Sequence, residues 1–119
     1  MKIAVTSTGR TSDSDVDQRF GRAACFLIFD TDTGAYQTLD NAQNYTAAQG
    51  AGIQAAQTIA STGVDVLITG HCGPKAFKAL RAANIAVITG VSGTIEEAVE
   101  HYKGGELKEA AGADVEGHW

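Results

Sequence analysis

Residues 64–89 constrain the fold of this chain more than any other stretch. Val64-Asp65-Val66-Leu67-Ile68-Thr69 is apolar and rich in β-branched residues, as a buried strand requires. Gly70-His71-Cys72-Gly73 turns the chain, and Pro74 stands where a helix takes its first residue. Ala76, Phe77, Leu80 and Ala83 share one side of the helix that follows. Asn84 suits a left-handed stop, and Ile85–Thr89 is apolar again. A strand, a helix and a second strand at this spacing form a parallel, right-handed crossover. That commits the chain to the α/β class.

The flanking segments extend the same sheet. Lys2–Thr6 alternates apolar and polar and reads as a first strand. Arg10–Arg22 has no usable period and forms a long loop, of the kind that is usually functional or mobile. Ala23–Phe29 is a continuous apolar run, a strand buried on both faces. The turn Asp30-Thr31-Asp32-Thr33-Gly34 joins it to a short strand, Ala35–Leu39, as an antiparallel hairpin. Thr46 and Gln49 form a capping box for a helix that stops at Gly63. Thr94 and Glu97 form another, for a last helix with Ile95, Ala98, Val99 and Tyr102 on its apolar face and Gly104-Gly105 at its end. Residues 106–119 are weakly patterned and read as a loosely held tail. The whole is one domain, residues 1–119, in three layers: helices on both sides of a mixed sheet.

Composition narrows the function. A formal net charge of −5 argues against nucleic acid as a partner, since phosphate recognition needs a surplus of Lys and Arg. No apolar run is long enough to span a bilayer, and the amino-terminal apolar stretch is too short for a secretory signal. Cys25 and Cys72 are far apart in sequence and read as free thiols in a reducing cytoplasm, Cys25 within the core.

In an open α/β sheet, ligands sit beyond the carboxyl ends of the parallel strands. Three glycine-containing loops, Ser7–Gly9, Gly70–Gly73 and Gly90–Gly93, are expected to gather there. Gly70-His71-Cys72-Gly73-Pro74-Lys75 is the richest in chemistry. A helix start attracts anions through free N–H groups and its dipole. Lys75 adds charge, His71 offers a donor or a ligand nitrogen, and Cys72 offers a soft ligand. The bland reading is a well-made strand-to-helix turn with a semi-buried thiol. Arg19-Phe20-Gly21-Arg22 is the second candidate, two arginines able to hold an oxyanion or thio-anion. Its bland reading is a solvated loop whose arginines pair with Asp13, Asp15 and Asp17. In the third, Gly50 and Gly52 permit a close approach to the helix start, by a ligand or by the packed sheet. His101 and His118 share no ligand spacing with His71. No nucleophile elbow, P-loop or Cys-x5-Arg phosphatase pattern is present, and the first strand lacks the carboxylates of a two-metal nuclease.

The ordered set Arg19-Phe20-Gly21-Arg22-Ala23, Gly50-Ala51-Gly52, Gly63–Gly70, Cys72-Gly73-Pro74-Lys75-Ala76, Glu96-Glu97-Ala98 and Gly104-Gly105-Glu106-Leu107 resembles the dinitrogenase iron–molybdenum cofactor biosynthesis family, the NifX and NifB C-terminal-like proteins. The resemblance implies a ribonuclease-H-like fold, a five-stranded mixed sheet with the second strand antiparallel. It implies non-enzymatic binding and carriage of an anionic molybdenum-containing metal–sulfur cluster. The length and the two cysteines are similar to small stand-alone members that carry a molybdenum–copper sulfide cluster; the iron–molybdenum cofactor or a precursor is the other expected cargo. A protein recipient is the implied partner, with no nucleic acid and no membrane. Arg19, Arg22, Gly70, His71, Cys72, Gly73 and Lys75 are the expected cluster-binding residues, with Cys72 and His71 as candidate metal ligands. Many relatives carry His where this chain has Gln49, which removes one possible ligand. Two other readings stay open: a small interaction or regulatory domain, and an enzyme acting on a small oxyanion through Cys72 and His71.

Overall fold

The computed structural model describes residues 1–41 and 51–110. Eight elements follow one another: β1 (Lys2–Ser7), β2 (Cys25–Asp30), β3 (Tyr36–Asp40), α1 (Ala51–Ala60), β4 (Val66–Ile68), α2 (Pro74–Ala82), β5 (Ala86–Ile88) and α3 (Ile95–Lys103). The five strands form one sheet in the order β3-β2-β1-β4-β5. β2 runs antiparallel to β1 and β3, whereas β1, β4 and β5 are parallel. This is the expected mixed sheet with its second strand antiparallel. The Thr46–Gln49 capping box lies outside the described residues.

Strand alternation splits the core into two layers. Ala4, Phe26, Ile28, Leu67 and Val87 face one way and pack with Ala55, Ala56 and Ile59 of α1 and Ala76 and Leu80 of α2. Ile3, Val5, Leu27, Phe29, Val66, Ile68 and Ile88 face the other way and pack with Ile95, Ala98 and Val99 of α3. Every residue of β2 up to Phe29 is buried, because both faces of that strand are covered.

Local chemistry sets the boundaries. Gly63 at φ +76° and Asn84 at φ +62° take the left-handed conformation that ends a helix. Pro74 opens α2, where its missing N–H costs nothing. The Thr94 hydroxyl accepts from the Glu97 amide at 3.1 Å, and the Thr94 amide donates to Glu97 Oε1 at 2.9 Å, a complete capping box. Gly52 makes its close approach to α2 rather than to the sheet: a Cβ there would lie 3.2 Å from Ala76 Cβ. Beyond α3, the chain runs along the β5 edge. The Ala110 amide donates to the Val87 carbonyl at 2.7 Å, Leu107 packs on the α3 layer, and Glu109 pairs with Arg81. Residues 106–110 are therefore tied down, where a loose tail was expected.

Candidate functional site

The registers bring the ends of all five strands to one edge of the sheet. Ser7, Ile68 and Ile88 are the carboxyl ends of the parallel strands. Cys25 pairs with Ser7 and with Asp40, so the start of β2 and the end of β3 share that edge. The glycine loops meet there as expected. The Gly90 amide donates to the Gly70 carbonyl at 2.7 Å, and the Val91 amide to the Thr69 carbonyl at 3.3 Å.

The segment from Arg10 to Ala24 lies across this edge and is knitted into it. The Asp17 amide donates to the Thr6 carbonyl at 2.8 Å, the Thr8 amide to the Asp15 carbonyl at 3.0 Å, and the Val16 amide to the Gly93 carbonyl at 2.8 Å. The Thr6 hydroxyl donates to the Asp17 carbonyl at 2.7 Å, beside a 2.9 Å bond to the Thr69 hydroxyl. The bland expectation is a solvated loop whose arginines pair with Asp13, Asp15 and Asp17. Arg10 pairs with Asp40 on β3. Asp17 turns inward, 8% exposed, and its carboxylate accepts from the amides of Arg19 at 3.1 Å and Ala24 at 3.4 Å. Gly70 has a reason in this packing: a Cβ there would lie 2.7 Å from Gln18 Cα, a backbone atom that cannot give way.

Arg19 and His71 come together. Their backbones form a parallel bridge, and the Phe20 amide donates to the His71 carbonyl at 3.1 Å. Phe20 is fully buried against Phe26, with ring centroids 5.9 Å apart, and pins the segment to the core. Arg19 is exposed, and Arg22 and His71 are half-buried. Gly73 caps α2 in extended conformation, φ −75° and ψ 168°, and as glycine makes no side-chain cap hydrogen bond. The first-turn N–H groups and the exposed Lys75 thus lie at the same edge. Among the described residues, no group of three or more His, Cys, Asp and Glu side chains is placed to hold a bare metal ion.

The two thiols sit deeper. Cys72 has no exposed surface and belongs to the core cluster of Phe20, Ala23 and Phe26. Cys25 is 3% exposed, and its Sγ donates to the Gly9 carbonyl at 3.0 Å. Burial pushes the Cys25 thiol above its ordinary pKa, against the lowering effect of its hydrogen bonding to Ser7.

Asp17 and Asn41 are the edge residues that sequence reasoning missed. Asp17 looked like one acid among several in a charged loop, and Asn41 merely followed a short strand. Neither type nor spacing marks them, because their partners are fixed only when β3 and the Arg19–Ala24 segment meet.

This combination of sheet order and cationic, glycine-rich edge belongs to a known class. The family model for "Dinitrogenase iron-molybdenum cofactor" matches residues 1–105, and the chain belongs to that family. Within it, the chain is similar to the orange protein of Desulfovibrio gigas, whose apo form is 45% identical over 96% of each chain with a TM-score of 0.93. A candidate NifB protein from Thermotoga is 35% identical over 91% of each chain, with a TM-score of 0.79. An uncharacterised protein of Methanocaldococcus jannaschii is 26% identical over 110 residues, 91% of this chain and 90% of that one. Among the described residues, no helix is long and apolar enough to cross a membrane.

Proposed function

We propose that this protein binds and carries an anionic molybdenum-containing metal–sulfur cluster, a molybdenum–copper sulfide or an iron–molybdenum cofactor-like species, and is not an enzyme. The observation that carries this reading is the bridge between Arg19 and His71, which brings the arginine segment to the loop that opens α2. A sulfide-rich cluster supplies its own inner ligands, so it needs charge and directed N–H groups more than it needs side-chain ligation. Arg19, Arg22, His71 and Lys75, with the amides of Gly73 and Lys75, are the groups suited to hold it, whereas Gly70 gives its space to Gln18. The likeness to the orange protein, together with the sequence resemblance to small members that carry a molybdenum–copper sulfide, makes that cluster the first cargo to test.

Cys72 stands apart in this set. Its thiol is enclosed by the core, so a cluster resting on the surface of the edge is held without it unless the loop opens. The test is reconstitution with tetrathiomolybdate and copper, followed by desalting, visible absorption and metal analysis. Molybdenum and copper are expected to co-elute with the folded protein. Arg19→Ala and Lys75→Ala should each weaken retention by about 1.5–3 kcal/mol, the worth of a hydrogen bond to a charged group. Cys72→Ala should keep the wild-type spectrum; a lost or displaced band would instead establish thiolate coordination. Metals that elute apart from folded wild-type protein would sink carriage altogether.

A further inference from the structure

Asn41 follows the last residue of β3 and is 2% exposed. Its Nδ2 donates two hydrogen bonds into one short segment, to the Gly21 carbonyl at 3.1 Å and the Ala23 carbonyl at 3.0 Å. Its amide donates to the Ala24 carbonyl at 3.4 Å. Asp17 grips the same segment from the other side, through the amides of Arg19 and Ala24. Five hydrogen bonds from two buried polar residues thus converge on Arg19–Ala24. Only Arg19, Arg22 and Ala24 in this segment escape full burial.

The clamp carries a cost. Asn41 Oδ1 is buried and, among the described residues, has no hydrogen-bond partner. A buried acceptor left unmade is unfavourable, and such groups persist where the surrounding structure gains something by fixing them. A serine or threonine here would leave fewer orphaned atoms but could not span two carbonyls. What the asparagine gains is a fixed backbone between two arginines.

We infer that Asn41 and Asp17 are positioning residues of the anion site, a buried polar clamp that fixes the Arg19–Ala24 backbone so that both guanidiniums are presented in one geometry beside the start of α2. This deepens the carriage reading and rests on it. The clamp touches no cargo; it acts through the arginines. An ordered pair of forks binds a polyanion better than a mobile pair, because the ordering cost is met on folding.

Two measurements on the full chain test this. Amide hydrogen exchange on Asn41→Ala should show faster exchange at residues 19–24, with the sheet amides unchanged. Titration with tetrathiomolybdate and copper should show roughly tenfold weaker retention, the low end of what losing an orienting partner costs. The deciding comparison repeats Asn41→Ala in an Arg19→Gln, Arg22→Gln background. Positioning predicts no further loss there, whereas a general loss of structure would weaken both backgrounds equally. Asp17→Asn keeps the shape and one acceptor, and carries the same comparison if Asn41→Ala does not fold. Unchanged exchange at 19–24, or equal losses in both backgrounds, overturns the clamp. Failure of the wild type to retain the metals would overturn carriage and the positioning role with it, while the exchange data would still report whether the segment is held.

Discussion

At the scale of single residues, two positions make opposite demands. Gly70 has no room for a side chain, since Gln18 Cα lies 2.7 Å from where its Cβ would be. Gly70→Ala should therefore push the Arg10–Ala24 segment off the sheet edge and cost about 1–3 kcal/mol in urea denaturation. Gly34 has open space but φ +74°, so Gly34→Ala should cost only about 1–2 kcal/mol, from backbone strain alone. Cys25 gives a pH test. Burial raises its folded-state pKa, so the folded protein keeps the thiol proton after the unfolded chain has lost it. The contribution is complete below the ordinary thiol value of 9.0 and is lost as pH rises from there through the folded-state value. Stability of wild type and Cys25→Ser should thus diverge in slope only above that pH, the serine variant falling less steeply. Parallel slopes would mean that the thiol is not desolvated. Gly70 was legible in the sequence as a special position, but not its partner, because Gln18 lies far away along the chain.

At the scale of elements, legibility followed locality. Pro74, Gly63, Asn84 and the Thr94–Glu97 box all act within a turn of their own position, and each marks the boundary that the sequence indicated. The hairpin turn at Gly34 is equally local. The Arg10–Ala24 segment was opaque because its hydrogen bonds reach Thr6, His71 and Gly93, none of them a near neighbour for the whole segment. Low periodicity suggested a mobile loop; long-range backbone bonding makes it part of the sheet edge. The α3 cap yields a prediction of its own. Thr94→Ala removes the hydroxyl that accepts from the Glu97 amide and should cost about 1 kcal/mol. The Thr94 amide, and then its hydroxyl, hold the Glu97 carboxyl below its ordinary pKa. That contribution is present above the ordinary carboxylate value and is lost as pH falls through the lowered one. Acid titration by NMR should find Glu97 titrating below the ordinary glutamate value in wild type and shifted part of the way back in Thr94→Ala, which loses the hydroxyl but keeps the backbone amide that contributes most.

At the scale of the whole molecule, the distribution of charge matters more than its sum. The formal net charge is −5, yet Arg19, His71 and Lys75 gather where Ser7, Ile68 and Ile88 end. The acids are elsewhere in part: Glu96, Glu97 and Glu100 line a cleft along α3, which packs on the opposite face from α2. On the carriage proposal, a polyanion approaching from afar meets the net negative charge of the molecule first and the local cationic edge only at closer range. Screening separates the two, because the Debye length shrinks from about 30 Å at 0.01 M salt to about 10 Å at 0.1 M. Raising salt across that range should leave the association rate of a tetrathiomolybdate–copper species unchanged or slightly faster, since long-range repulsion is what salt removes first. Release should accelerate, since the contacts proposed to hold the cargo are ionic. Stopped-flow absorption at a series of salt concentrations reads both rates. An association rate that falls steeply with salt would mean that long-range attraction dominates, contrary to this charge distribution. A release rate indifferent to salt would mean that the cargo is held by coordination to the protein, and would turn attention back to the buried thiol of Cys72.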